Sequence, residues 1–129
     1  LHTIFMKAFI FRIIILFIVS QNAHSALTTI TCDYDTFASV QQVEPTTEIM
    51  QLTFTVDTET SEAKVIRKNG ISDVDLYPTG GGFTFVEVNE RGNVLTTTVD
   101  IHGKSAHSRN TILDSELIPS QFYGSCDYN

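Results

Sequence analysis

The sequence predicts an all-β domain, an antiparallel up-and-down barrel of about eight strands, with a β-sandwich as the alternative arrangement. Three features carry that expectation. Apolar and polar residues alternate with period two along nearly the whole chain, as half-buried antiparallel strands require. Turn-forming pairs and triplets recur between the alternating runs, and no long stretch with a 3.6-residue period interrupts them. The only two cysteines, Cys32 and Cys126, lie in the first and last runs, and closing a barrel makes the terminal strands neighbours.

The N-terminal residues 1–25 read as a signal peptide. From Met6 a basic start (Lys7, Arg12) leads into the apolar Ile13–Val19, and Ala23 and Ser25 fit the −3 and −1 positions of a cleavage site. Leu1–Phe5, ahead of that methionine, reads as a start-site artefact. The apolar run is far shorter than the roughly 20 residues that span a bilayer, so cleavage after Ser25 leaves one β-domain, residues 26–129, with no membrane segment. The expected location is periplasmic or secreted, of bacterial type. In an exported chain two cysteines are expected to pair. Such a bridge closes a loop of about 90 residues, worth about 4–5 kcal/mol in the chain-entropy account.

The whole chain carries a net charge of −7. Lys7 and Arg12 leave with the leader and all fifteen acids stay, so eight basic side chains fall to six and the balance becomes −9. A domain this acidic repels nucleic acid and anionic lipid. Its expected partner is an unidentified protein or small ligand, and the expected state is a monomer.

Within the domain, Thr28–Tyr34 places Ile30, Cys32 and Tyr34 on one face. Glu48–Asp57 does the same with Met50, Leu52, Phe54 and Val56. The polar Gln41–Thr47, broken by Pro45, reads as a loop between them. Asn69-Gly70 is a strong type I′ hairpin signal; a turn centred there sets Lys68 against Ile71, Val65 against Val74, Ala63 against Leu76 and Lys64 against Asp75. Glu90-Arg91-Gly92 suits a three-residue loop that sets Phe85 against Thr97 and Phe83 against Val99. Gly103-Lys104 suits a two-residue loop with glycine first, setting His102 against Ser105 and Ile101 against Ala106. That register sends Thr97, Ser108 and Asn110 to the otherwise apolar face and Asp100, His102, His107 and Arg109 to the polar one. In Leu113–Gln121, Asp114 is placed to cap a single helical turn that Pro119 ends, and Phe122–Tyr128 forms the last strand.

Chemical motifs are sparse. Asp100 and His107 fall opposite each other in this register, as a catalytic pair, a metal site or, the favoured reading, an exposed ion pair of little energetic weight. A metal site needs further ligands, and none is expected nearby; no cofactor is expected either. Gly103-Lys104-Ser105 lacks the upstream glycine and following helix of a phosphate loop, and neither a G-x-S-x-G elbow nor an H-E-x-x-H helix occurs. The expectation is a chain that is not an enzyme. Tyr77-Pro78-Thr79-Gly80-Gly81-Gly82 reads as a long hairpin connection or as a partner-binding loop. Thr97, Ser108 and Asn110 on the inner face point to a small polar cavity or to an end of the sheet open to water.

His107-Ser108-Arg109-Asn110-Thr111, followed by Pro119-Ser120-Gln121-Phe122-Tyr123-Gly124-Ser125-Cys126, resembles a group of small exported bacterial proteins of unknown function. The resemblance covers most of the domain and implies export and a β-domain with one disulfide. More distantly, Tyr77-Pro78-Thr79-Gly80 leading into the Phe83 strand resembles the periplasmic barrels that inhibit lysozymes or proteases, without the Ser-Gly-Ala element of their inhibitory loop. Two functional expectations follow: an exported, inhibitor-like binding module that is not an enzyme, and a lipocalin-like carrier of a small ligand in the barrel interior.

Overall fold

The computed structural model describes residues 26–129, and the expected leader lies outside the described residues. Eight strands, β1 (Leu27–Ala38), β2 (Val43–Asp57), β3 (Ala63–Arg67), β4 (Gly70–Thr79), β5 (Gly82–Val88), β6 (Val94–Asp100), β7 (Lys104–Leu113) and β8 (Glu116–Tyr128), close into an antiparallel barrel in sequence order. The fold is thus the barrel, not the sandwich. Cys32 faces Cys126 directly across β1 and β8, bridged at a Cα–Cα separation of 4.0 Å and a sequence separation of 94. The Cys126 N–H turns away from β1 and donates to the Gly103 carbonyl at 2.6 Å, as expected of a closely spaced pair that exchanges no backbone bonds.

Period-two alternation builds the core. Ile30, Cys32 and Tyr34 of β1, Leu52, Phe54 and Val56 of β2, Ala63 and Val65 of β3, Phe85 of β5 and Val99 of β6 are buried together, with Met50, Val74, Leu76, Phe83 and Phe122 packed around them. The Phe54 and Phe85 rings stack with centroids 4.2 Å apart. Such a pair adds about 0.5–1.5 kcal/mol beyond the area it buries. The space bounded by Leu52, Phe85, Thr97, His107 and their neighbours is about 10 Å³, room for about one water, and a wider cleft of about 290 Å³ lies against Phe37 and Phe122.

The β5–β6 register is the expected one, with Phe85 opposite Thr97 and Phe83 opposite Val99. The other hairpins differ from expectation. In β3–β4, Val65 faces Ser72, Ala63 faces Val74 and Lys64 faces Asp73. The turn centres on Lys68-Asn69, neither of which has positive φ, and Gly70 pairs with Arg67. A shift of two residues keeps the faces, so the outward Lys64–Asp73 ion pair forms at 2.8 Å.

The β6–β7 turn has larger consequences. Thr97 faces His107 and Val99 faces Ser105, a displacement of three from the expected register. An odd displacement exchanges the two faces of a strand. The cause is Asp100: its Oδ1 accepts the N–H groups of His102 and Lys104 at 2.8 and 2.9 Å. Gly103 closes the loop at φ 85, donating to the Asp100 carbonyl at 3.1 Å.

The two polar connections also differ. β2 begins at Val43, so most of Gln41–Thr47 is strand, and Pro45 lies opposite Thr36. No helical turn follows Asp114. Asp114 and Ser115, at φ 50 and 66, instead make a two-residue hairpin turn that sets Pro119 opposite Asn110. Both prolines sit where their strand has one partner only, because β3 reaches β2 only from Thr53 and β1 reaches β8 only from Gln121. Proline is tolerated in a sheet at such edges, where its missing N–H breaks no ladder. The result is two long hairpins, β1–β2 and β7–β8, projecting past the other turns at one end of the barrel.

Candidate functional site

The inner wall near the projecting hairpins is polar. Thr97, His107, Phe122 and Phe37 are successive partners across β6, β7, β8 and β1. Phe37 joins them because the β1 register shifts between Tyr34 and Thr36, and the extra residue of a bulge reverses the alternation beyond it. His107, 2% exposed, lies between Thr97 Oγ1, 2.7 Å from Nδ1, and Arg109 Nε, 3.1 Å from Nε2. A guanidinium can only donate. Nε2 therefore accepts, and the ring proton sits on Nδ1, donating to Thr97. Burial, reinforced by the neighbouring Arg109 and Arg67 charges, pushes the imidazole down to about 4, with Glu87 opposing.

Further bonds complete this inner network. Arg109 also reaches Met50 Sδ at 3.3 Å and lies over the Phe122 ring at 5.2 Å. Tyr34 Oη and Ser105 Oγ are 2.8 Å apart, and Ser105 Oγ donates to the Thr98 carbonyl at 2.9 Å. Burial pushes the Tyr34 phenol up to about 12. Arg67 grips both Glu87 oxygens, at 3.1 and 2.5 Å, and these bonds hold the Glu87 carboxyl below its ordinary value. Chemically the surroundings of His107 are saturated. The imidazole is neutral, both its nitrogens are engaged, and almost no free volume adjoins it.

The residues singled out from sequence are therefore distributed differently. Cys32 and Cys126 form the bridge. Thr97 faces inward, but Ser108 and Asn110 face outward, and their places inside are taken by His107 and Arg109. Asp100 is a turn cap and does not face His107. Tyr77, Pro78 and Thr79 are the exposed end of β4, and Thr79 pairs with Gly82 around a two-residue Gly80-Gly81 turn. That segment is a tight hairpin, not a long connection, because Gly81 takes φ 100.

The exchanged face of β7 builds a second feature on the outside. A groove of about 530 Å³ is lined by Ala38, Ser39, Val40, Thr96, Ser108, Asn110, Pro119, Ser120, Gln121 and Tyr123. Thr96, Ser108, Gln121 and Ala38 lie side by side across β6, β7, β8 and β1, and Val40 rises from the β1–β2 turn. Tyr123 Oη donates to Gln121 Oε1 at 2.5 Å, leaving the Gln121 amide N–H groups free to donate elsewhere. Sequence reading assigned Ser108 and Asn110 to the interior and passed over Thr96, Gln121 and Tyr123. The signal that would have found them is Asp100-Ile101-His102-Gly103, with Asp first and Gly fourth as a type I turn prefers. Comparison of the chain with protein-family models, curated proteins and solved structures finds no match.

Proposed function

We propose that the chain is an exported, inhibitor-like binding module, not an enzyme, that engages its partner through the outer surface of the barrel. The observation that carries this reading is the contrast between the packed interior around His107 and an open groove beside the two projecting hairpins. The space beside His107, about 10 Å³, and the cleft against Phe37 and Phe122, about 290 Å³, are both smaller than the pocket of about 300–1,000 Å³ that a carried small ligand uses. The outer groove, at about 530 Å³, lies in that range. The buried His107, neutral and doubly bonded, is poorly suited to proton transfer with a substrate. The disulfide is compatible with an extracellular or periplasmic location, and export with cleavage before Ala26 completes the proposal.

The test is capture from the surroundings of the producing cells, using the oxidised exported protein as bait. Ser108→Arg sits in the groove, whereas Ile71→Arg sits on an exposed strand away from it. The proposal expects a captured molecule that is lost with the first variant and kept with the second. Capture indifferent to both variants would remove the groove from the account.

A further inference from the structure

Charge is distributed very unevenly over this barrel. Fifteen acids and six basic side chains fall within residues 26–129, yet none of the ten residues lining the outer groove is charged. The outward rows Thr84, Thr98, Ala106, Tyr123, Thr36 and Val86, Thr96, Ser108, Gln121, Ala38 carry no charge over these five strands, and carboxylates stand only at their ends, Asp75 beside Val86 and Asp35 accepting from Thr36 Oγ1 at 3.0 Å. A charged ligand entering here would shed water without gaining a counter-ion, which is costly. The chemistry of the lining therefore favours a neutral ligand.

What it offers that ligand is a set of neutral donors and acceptors. Thr96 and Ser108 supply hydroxyls, Asn110 an amide, and Gln121 an amide already oriented by Tyr123. Each such group both donates and accepts, matching a ligand rich in hydroxyls. Tyr123, 40% exposed, presents an apolar ring with a polar tip, and Val40 and Pro119 add small apolar walls. The groove is open along the sheet, so it suits an extended chain of units better than one enclosed unit.

We propose that this groove binds a neutral oligosaccharide, with Ser108, Asn110 and Gln121 as hydrogen-bonding residues and Tyr123 as the stacking ring. This rests on the binding-module reading above and supplies its ligand class. The test is calorimetric titration of the oxidised exported protein with neutral tetrasaccharides (maltotetraose, cellotetraose, fully N-acetylated chitotetraose) and two charged ones, de-N-acetylated chitotetraose and tetragalacturonate. Binding is expected for at least one neutral probe and not for the charged pair. Asn110→Ala and Gln121→Ala should each weaken it about five- to tenfold, the loss of one hydrogen bond. Ser108→Arg should abolish it and Ile71→Arg leave it intact, with thermal melts confirming that each variant is folded. Failure of every neutral probe, preference for a charged one, or indifference to Ser108→Arg would overturn the inference. If a protein is nevertheless captured in a Ser108-dependent way, only the ligand class falls; if nothing is captured either, the binding-module reading falls with it.

Discussion

Both ring nitrogens of His107 are held inside the barrel, Nδ1 by Thr97 and Nε2 by Arg109. Protonation would place a second cation against Arg109 and turn its acceptor into a donor. The unfolded chain takes up this proton near the ordinary value of 6.5 and the folded chain only near 4. Between those values the unfolded state binds more protons, so stability falls as the pH drops from about 6.5 and the loss approaches about 3 kcal/mol near pH 4. Urea melts at pH 7 and pH 4.5 should show most of this loss, and His107→Gln should flatten the slope; an equally steep slope in the variant would assign it elsewhere. His107→Ala should itself cost roughly 2–4 kcal/mol at pH 7, through a cavity and two groups left without partners. Phe85→Ala, which removes a ring 1% exposed and stacked on Phe54, should cost about 3–5 kcal/mol. Phe83 is only partly buried and should cost less.

At the scale of single elements, turn chemistry decides which face each strand presents. Asn89 and Asp100 build the same loop: each Oδ1 accepts two backbone N–H groups, and a glycine three residues on takes positive φ. The two glycines differ in their surroundings. A Cβ on Gly92 would meet open space, whereas one on Gly103 would lie 2.3 Å from the Cys126 carbonyl oxygen. Gly92→Ala should therefore cost about 1 kcal/mol through φ alone and Gly103→Ala clearly more; equal losses in denaturant melts would contradict the close approach of β8. The alternation of β1 up to Tyr34 and of β2 over Glu48–Asp57 was legible because Ile30, Cys32, Tyr34, Leu52, Phe54 and Val56 leave no choice of face. β7 was not legible. Its inward residues, Ser105, His107 and Arg109, are as polar as its outward Ser108 and Asn110, so hydrophobic pattern could not rank the faces and a single misplaced turn inverted them. The two long hairpins were missed because Pro45 and Pro119 signal loops in isolation, and only the tertiary arrangement shows that they lie where a strand has one neighbour.

For the molecule as a whole, closure between β1 and β8 is locked by Cys32–Cys126 over a sequence separation of 94. Cys32→Ser should cost about 2–5 kcal/mol, as for disulfides of small secreted domains, read as a lower midpoint in urea; two freely titrating thiols in the folded wild type would contradict the bridge. The leader reading is checked by intact mass: protein recovered from the periplasm or medium should begin at Ala26. The larger question, whether the barrel is a container or a surface binder, turns on the orientation of β7. His107 inward fills the space between Thr97 and Phe122 and turns Ser108 and Asn110 into the groove, whereas the opposite orientation would vacate that space and dismantle the groove together. The direct measurement is the titration of the His107 ring by ¹H–¹⁵N NMR. The account predicts a neutral imidazole protonated on Nδ1 that holds its proton state down to about pH 4; a ring that titrates freely near 6.5 would place His107 in water and contradict it.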